Sequence, residues 1–138
     1  MKQLSVFVEN QPGRVADIIE ILAQNDINIR ALSIADTEEF GVMRLVVDQP
    51  TLAQEKIAET GVIVRVNHVL SLPIPDVPGG LSHVLNILRE GGVSIEYLYA
   101  FCMKEQDNAL VVLRVDDRAH AEVVLAAQGI TPFELEQE

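Results

Sequence analysis

The sequence has a single cysteine, Cys102, no tryptophan and few basic residues. One cysteine cannot close a disulfide within the chain and has no CxxC partner, so a reducing cytoplasm is the simplest location. Ten lysines and arginines stand against 21 aspartates and glutamates, and no basic run forms the stripe that phosphate neutralisation requires. We therefore expect no direct binding to nucleic acid.

Long hydrophobic runs are also missing. No apolar stretch approaches the roughly 20 residues that a helix needs to cross a bilayer. The first residues, MKQLSVFVENQPGR, lack the basic and apolar regions of a secretory signal. Hydrophobic residues still make up 49% of the chain, which is too many for a disordered protein. These features predict a soluble globular protein that does not associate with membranes.

The chain contains one sequence pattern twice. A shift of 66 positions places Leu4 on Leu70, and the match continues through a Pro-Gly turn and a helical stripe. Two extra residues in the second copy raise the shift to 68, which places Gly61 on Gly129. Repetition of both turn chemistry and apolar period indicates two copies of one supersecondary unit. We predict two domains, residues 1–68 and 69–138.

The first copy has a readable order of elements. Apolar residues alternate in 4–8, as in a strand, and recur at steps of three and four in 15–22, as in a helix. Two further strands around a polar hairpin at 37–41, a helix opened by 48–51 and a last alternating strand complete a βαββαβ unit. A right-handed crossover then gives an antiparallel sheet of order 4-1-3-2 with both helices on one face. We predict an α+β fold made of two ferredoxin-like units packed as a tandem pair.

Two irregularities are expected within this pattern. In the second strand of the first copy, the apolar period slips between Ile29 and Leu32, which indicates a β-bulge. In the second copy, Pro73 and Pro75 fall on the first strand, which is central in this topology and normally excludes proline. Because the prolines are two positions apart, their missing N–H groups face the same neighbour. We expect shortened or one-sided pairing of that strand.

Two segments carry a family resemblance. They are NQPGRVADIIEILAQNDINIRAL in the first copy and DVPGGLSHVLNILREGGVSIEYL in the second. Asn or Asp, one residue, Pro-Gly, an amphipathic helix and a turn into a short strand make them resemble the opening of ACT domains. These are small ligand-binding modules attached to many enzymes of amino-acid metabolism. The resemblance covers nearly the whole chain and implies a regulatory protein that senses a small amino acid.

The resemblance also implies a binding site. In ACT domains the ligand lies at a seam between paired domains, where the loop after strand one faces the start of another domain's strand two. Helix-entry N–H groups there suit a carboxylate, and carbonyls with a short polar side chain suit an ammonium group. The implied ligand-binding residues are Asn10, Gln11, Pro12, Gly13, Arg14, Val15, Asn28 and Ile29 in the first copy, and Asp76, Val77, Pro78, Gly79, Gly80, Leu81, Ser94 and Ile95 in the second.

The two implied loops are not equivalent. Arg14 offers a charge contact to a carboxylate where Gly80 offers only backbone. Asp76 repels a carboxylate where Asn10 does not. If only one loop binds, we therefore favour the first. Asn and Asp before Pro-Gly are also ordinary turn residues, so a purely structural explanation exists for each of them.

Other functions find less support in the residues. The spacing of His68, His83 and His120 does not gather them around a metal, and we predict no metal and no other cofactor. Acylphosphatase shares the predicted topology and uses an Arg and an Asn, which Arg14 and Asn28 resemble, but its phosphate-binding glycine loop is missing. This small hydrolase is one alternative, and a subunit that docks on a biosynthetic enzyme without binding a ligand is another. Our prediction is a homodimer that is not an enzyme, with an amino acid effector and a regulated biosynthetic enzyme as partners.

Overall fold

The computed structural model of the chain describes residues 1–36 and 40–138. By their contacts these residues form two compact units. The first unit comprises Lys2–His68 together with Leu135–Glu138, and the second comprises Met1 together with Val69–Glu134. The predicted division into 1–68 and 69–138 differs from this only at the termini, because Met1 belongs to the second unit and Leu135–Glu138 belong to the first.

The first unit is an antiparallel sheet with two helices. Its elements are β1 (Lys2–Glu9), α1 (Arg14–Gln24), β2 (Ile29–Asp36), β3 (Phe40–Val47), α2 (Pro50–Ala58) and β4 (Val64–His68). The strands lie in the order β4-β1-β3-β2. The predicted bulge is confirmed, because the pairing of β2 with β3 changes register between Ile29 and Ala31. Residues 37–39 of the predicted hairpin lie outside the described residues.

Both helices of the first unit pack on the same face of the sheet. Alternation along β1 sends every second side chain to that face, and the apolar stripe of α1 meets them there. Each fully buried aliphatic side chain contributes about 1.5–3 kcal/mol through the hydrophobic effect. The buried core includes Leu4, Val6, Val8, Met43, Leu45 and Val47 from the strands and Ile18, Leu22, Ala53 and Ile57 from the helices.

The second unit repeats this plan with one strand fewer. Its elements are β5 (Leu70–Pro75), α3 (Gly80–Glu90), β6 (Ile95–Glu105), β7 (Asn108–Val115) and α4 (Arg118–Ala127). The strands lie in the order β6-β7-β5, and the described residues after α4 form no strand. The prediction of four strands in order 4-1-3-2 is therefore wrong for the second unit. No helix in the described part of the chain is long and apolar enough to span a membrane.

Two prolines account for the missing strand. The Phe133 N–H donates to the Ser71 carbonyl at 2.7 Å, so the main chain of Ser71 faces the edge of β5 that lies away from β7. Every second residue of a strand faces the same side, and Pro73 and Pro75 therefore face this edge without an N–H to donate. A fourth strand would lose two ladder bonds there. Pairing of β5 with β7 runs from Leu70 to Pro75, which confirms that the strand pairs along one side.

The C-terminal residues bond to the first unit. The Lys2 N–H donates to the Gln137 side-chain oxygen at 2.8 Å, and the Gln137 side-chain amide donates back to the Lys2 carbonyl at 2.9 Å. The Glu138 N–H donates to the Asp48 carbonyl at 2.9 Å. Side-chain and main-chain bonds together thus hold Leu135–Glu138 against the start of β1 and the end of β3.

Candidate functional site

The first predicted loop connects β1 to α1, and its main chain reverses direction at Gly13. Gly13 has φ 83° and ψ -8°, in the left-handed region that glycine adopts without steric cost. The Gln11 N–H donates to the Glu9 carbonyl at 2.8 Å, and the Arg14 N–H donates to the Gln11 carbonyl at 3.3 Å. A Cβ on Gly13 would have no protein atom within 4 Å, so the space beside this residue is open.

The first turn of α1 presents main-chain donors. Gly13 occupies the N-cap and has no side chain to accept from them, and the Asp17 N–H is the first to bond within the helix, to the Gly13 carbonyl at 2.9 Å. Within residues 1–36 and 40–138, the N–H groups of Val15 and Ala16 have no protein acceptor. Donors of this kind, at the positive end of a helix, suit a carboxylate.

The second loop repeats the geometry of the first. Gly79 has φ 84° and ψ -5° and caps α3 without a side-chain bond. The Val77 N–H donates to the Pro75 carbonyl at 2.8 Å, and the Gly80 N–H donates to the Val77 carbonyl at 3.0 Å. Both loops are solvent-exposed as far as their helix-capping glycine. The duplicated sequence thus produces the same main-chain arrangement twice.

The charges around the two loops differ. The Arg14 guanidinium lies 3.5 Å from the Asp17 carboxylate, and both side chains are more than half exposed, so water screens this pair. In the second loop, the Lys104 ammonium lies 2.5 Å from the Asp76 carboxylate. The repulsion expected between Asp76 and a ligand carboxylate is therefore partly offset by Lys104, which sequence spacing did not indicate.

Gly80 has a packing role that the sequence did not reveal. A Cβ at this position would lie 2.1 Å from the Pro75 carbonyl oxygen and 3.2 Å from its carbon, and these are main-chain atoms that cannot rotate away. The residue is buried, whereas Arg14 at the matching position of the first loop is exposed. Any side chain is thus excluded at the site where the first loop carries its arginine.

The predicted strand-two residues are held by an aspartate in each unit. The Asn28 N–H donates to the Asp48 carboxylate at 3.0 Å, and the Asp48 N–H donates to the Asn28 carbonyl at 3.2 Å. Ser94 and Asp116 repeat both bonds, each at 3.1 Å. The carbonyls expected to receive an ammonium group therefore already accept one hydrogen bond. The side chains of Asn28 and Ser94 are exposed, while Ile29 and Ile95 are half-buried where β2 and β6 begin.

A single unit does not bring its own loop and strand-two start together. The 11 residues of α1 separate Arg14 from Asn28, and a helix of that length spans about 16 Å. The same separation applies to the second unit, where α3 also has 11 residues. One small ligand cannot contact both groups within one unit. The same separation argues against the Arg14–Asn28 pair that an acylphosphatase-like site requires.

The aspartates could have been found in the sequence. Asp48 and Asp116 occupy matching positions in the duplication, and an acidic residue kept in both copies after the third strand indicates a shared backbone contact. Lys104 had no such signal, since it lies 28 positions from Asp76 on another element.

Other residues that could carry chemistry are His120, Cys102 and the two tyrosines of β6. His120 contacts the Gly91 carbonyl at 2.7 Å through its ring, and Cys102 is exposed on β6. Tyr97 and Tyr99 stack with ring centroids 6.4 Å apart on the same strand. In the part of the chain that the structure describes, no three His, Cys, Asp or Glu side chains could hold a metal ion together.

Comparison with known proteins agrees with this architecture. A family model described as an ACT domain pair matches residues 1–134. The chain is 34% identical to a protein from Bacteroides thetaiotaomicron of known crystal structure, with a TM-score of 0.91 over 98% of this chain and 92% of that one. No curated protein matches the sequence significantly.

More distant structures share the fold. The regulatory subunit of aspartate kinase from Thermus thermophilus has a TM-score of 0.68 and 18% identity, over 93% of this chain and 90% of that one. The corresponding subunit from Thermus flavus has a TM-score of 0.60 and 18% identity, over 91% and 88%. The family-model match over almost the full length means that this chain belongs to the ACT domain family and contains a pair of such domains.

Proposed function

We propose that this protein regulates an enzyme of amino-acid metabolism by binding a small amino acid, and that it catalyses no reaction itself. The observation that carries the proposal is the pair of uncapped helix N-termini behind left-handed glycines, each with open space beside the glycine. Main-chain donors in that position recognise a carboxylate without any catalytic group. Membership of the ACT family supports the same function.

The first loop is the preferred carboxylate site. Its Val15 and Ala16 amides are available, Arg14 adds a cation, and Asn10 brings no negative charge. The second loop has Gly80 in place of the arginine and carries the Asp76 carboxylate. The first loop therefore offers a ligand carboxylate a guanidinium donor at the position where the second loop has glycine. The charges of Arg14 and Asp76 are each partly offset, by Asp17 and by Lys104.

The ammonium group requires a second ACT unit. We propose that Asn28 or Ser94 of a neighbouring unit receives it through the side-chain oxygen, since the main-chain carbonyl of each already accepts an aspartate amide. This is the seam that the family resemblance implies. The proposal includes a homodimer as the working assembly, which sedimentation equilibrium with and without the ligand would test.

A thermal-stability screen against the standard amino acids tests the function directly. A ligand present at about 100 times its dissociation constant adds about 2.7 kcal/mol to the free energy of unfolding. We expect one or a few amino acids to raise the melting temperature. If none does, the amino-acid sensor is contradicted, and a docking subunit without a ligand becomes the better explanation.

Two isosteric variants test the location. Asn10→Asp gives the first loop the charge of the second, and repulsion of the ligand carboxylate is expected to weaken binding by about 1 kcal/mol, or roughly fivefold. Asp76→Asn is the matched control, because it makes the reverse exchange in the less favoured loop and should leave the affinity of the first loop unchanged. Equal affinities of Asn10→Asp and the wild type would contradict the loop assignment even if an amino acid binds.

A further inference from the structure

A groove of about 480 Å³ opens in the first unit where β1 ends. Val8 and Ile18 lie at its buried base, only 6% and 3% exposed. Of the residues assigned to the loop and strand-two sites, only Arg14 lines it. The volume falls in the range of about 300–1,000 Å³ that small-molecule sites occupy. The groove is therefore a separate cavity of ligand size.

Large apolar side chains border this groove in exposed positions. Phe40 is 49% exposed and Ile63 is 61% exposed. Phe40 is the ladder partner of Glu9 at the end of β1, and the Ile63 carbonyl accepts the Phe7 N–H at 3.0 Å from the opposite side of that strand. The two side chains thus belong to backbone segments on either side of β1. Exposed apolar surface around a concave site is typical of ligand binding.

The mouth of the groove carries charges of both signs. Arg14 and Asp17 lie on the first turn of α1 with 3.5 Å between guanidinium and carboxylate. Glu9 lies at the end of β1 and forms no ion pair with another described residue. A cation and an unpaired carboxylate over an apolar base are complementary to a small zwitterion with an apolar body.

The second unit provides an internal comparison. It has a groove of about 410 Å³, and all of the groove's lining residues are duplication partners of first-unit groove residues. Its border is polar, because Asn108 replaces Phe40 and Thr131 replaces Ile63. Its mouth lacks the charges as well, because Pro75 and His83 replace Glu9 and Asp17. The shared fold explains the cavity in both units, but it does not explain the apolar border and paired charges of the first.

We propose that the first-unit groove binds an apolar α-amino acid. The ligand carboxylate meets the Arg14 guanidinium, the ammonium meets the Glu9 carboxylate, and the side chain lies over Val8 and Ile18 against Ile63. The groove lies wholly within one unit and needs no second ACT domain. This site shares Arg14 with the first loop but does not use the loop amides, so variants at Ile63 and Asn10 rather than at Arg14 separate the two sites.

Methyl and amide NMR locates the ligand. The full-length protein, labelled at isoleucine methyls and at amides, is titrated with L-leucine, L-isoleucine, L-valine and L-phenylalanine in turn, and with glycine as the zwitterion without an apolar body. We expect at least one apolar amino acid to shift the Ile18, Ile21 and Ile63 methyls. Glycine is expected to bind at least about 100-fold more weakly, since each missing methylene in an apolar site costs tenfold or more.

A variant that copies the second unit tests the groove. Ile63→Thr introduces the residue of the matching position, Thr131, and is expected to weaken binding by about tenfold through lost apolar contact. Val123→Thr is the matched control, because Val123 is 67% exposed on α4 and does not line the groove. Its affinity should equal that of the wild type. Arg14→Gln should also weaken binding, by about tenfold, through the lost charge contact.

The outcomes separate the groove from the loop. Ile18 and Ile21 methyl shifts whose titration midpoint Ile63→Thr raises about tenfold and Asn10→Asp leaves unchanged would support the groove. Shifts confined to the Val15 and Ala16 amides would overturn it while leaving the proposed function intact. An absence of groove methyl shifts with all four apolar amino acids would also overturn it, as would equal affinities of Ile63→Thr and the wild type.

Discussion

Replacing Gly80 with alanine is expected to lower the free energy of unfolding of the second unit by about 2 kcal/mol. The added Cβ would lie 2.1 Å from the Pro75 carbonyl oxygen, so main chain must move. Overpacking costs about 1–3 kcal/mol, and the upper part of that range applies because the contact atom is fixed to a strand. Alanine regains up to about 1 kcal/mol of helix propensity over glycine. Subtracting this gain from the overpacking cost gives the expected loss of about 2 kcal/mol.

Urea unfolding followed by tyrosine near-UV circular dichroism measures this loss. Both tyrosines of the chain, Tyr97 and Tyr99, lie on β6, so their signal reports the second unit. Arg14→Ala is the control at the matching position of the first unit. Its exposed ion pair with Asp17 makes a change above about 0.5 kcal/mol unexpected. If Gly80→Ala were as stable as the wild type, the close approach of α3 to β5 would be refuted.

Three other substitutions test the surroundings of the loops and the core. Asp117→Ala should destabilise the protein by about 1 kcal/mol, because the Asp117 carboxylate caps α4 by accepting the His120 N–H at 3.1 Å; Asp117→Asn should restore the stability in the same thermal melt. Asp116→Ala removes the acceptor of the Ser94 and Asp117 amides and should cost about 1–3 kcal/mol in urea unfolding. If Asp116→Ala lowered the free energy of unfolding less than Asp116→Asn does, this role of the carboxylate would be contradicted. Leu45→Ala opens a cavity in the fully buried core of the first unit and should cost about 2–5 kcal/mol. A loss below that range in far-UV circular dichroism melts would indicate that the core closes around the cavity.

Most of the fold could be predicted from the sequence, because hydrophobic periodicity and turn residues set the helices and strands over a few residues. Alternation placed Leu4, Val6 and Val8 on the buried face of β1, and the slipped period after Ile29 predicted the bulge. The fourth strand of the second unit was predicted only by analogy with the first. Its absence follows from the missing N–H groups of Pro73 and Pro75. The sequence predicted one-sided pairing of β5 from these prolines, but the loss of the fourth strand was not drawn from it.

The candidate site was less predictable, because much of it depends on contacts between distant segments. The loop glycine and its helix were evident from spacing, since turn chemistry acts over a few residues. The ion pair of Asp76 with Lys104 joins residues on different elements, and no local pattern encodes it. The apolar border of the groove left a signal that was overlooked. At two aligned positions, the first copy has Phe40 and Ile63 where the second has polar residues.

The difference between the two loops is fixed in the backbone as well as in the sequence. The Pro75 carbonyl occupies the space that any Cβ on residue 80 would need, so the second loop cannot acquire the first loop's arginine by one substitution. Gly80→Arg should therefore cost at least as much stability as Gly80→Ala and should bring no gain in amino-acid affinity. A Gly80→Arg variant that stays as stable as the wild type and binds more tightly would show that α3 can move away from β5. In that case residue identity alone would separate the two loops.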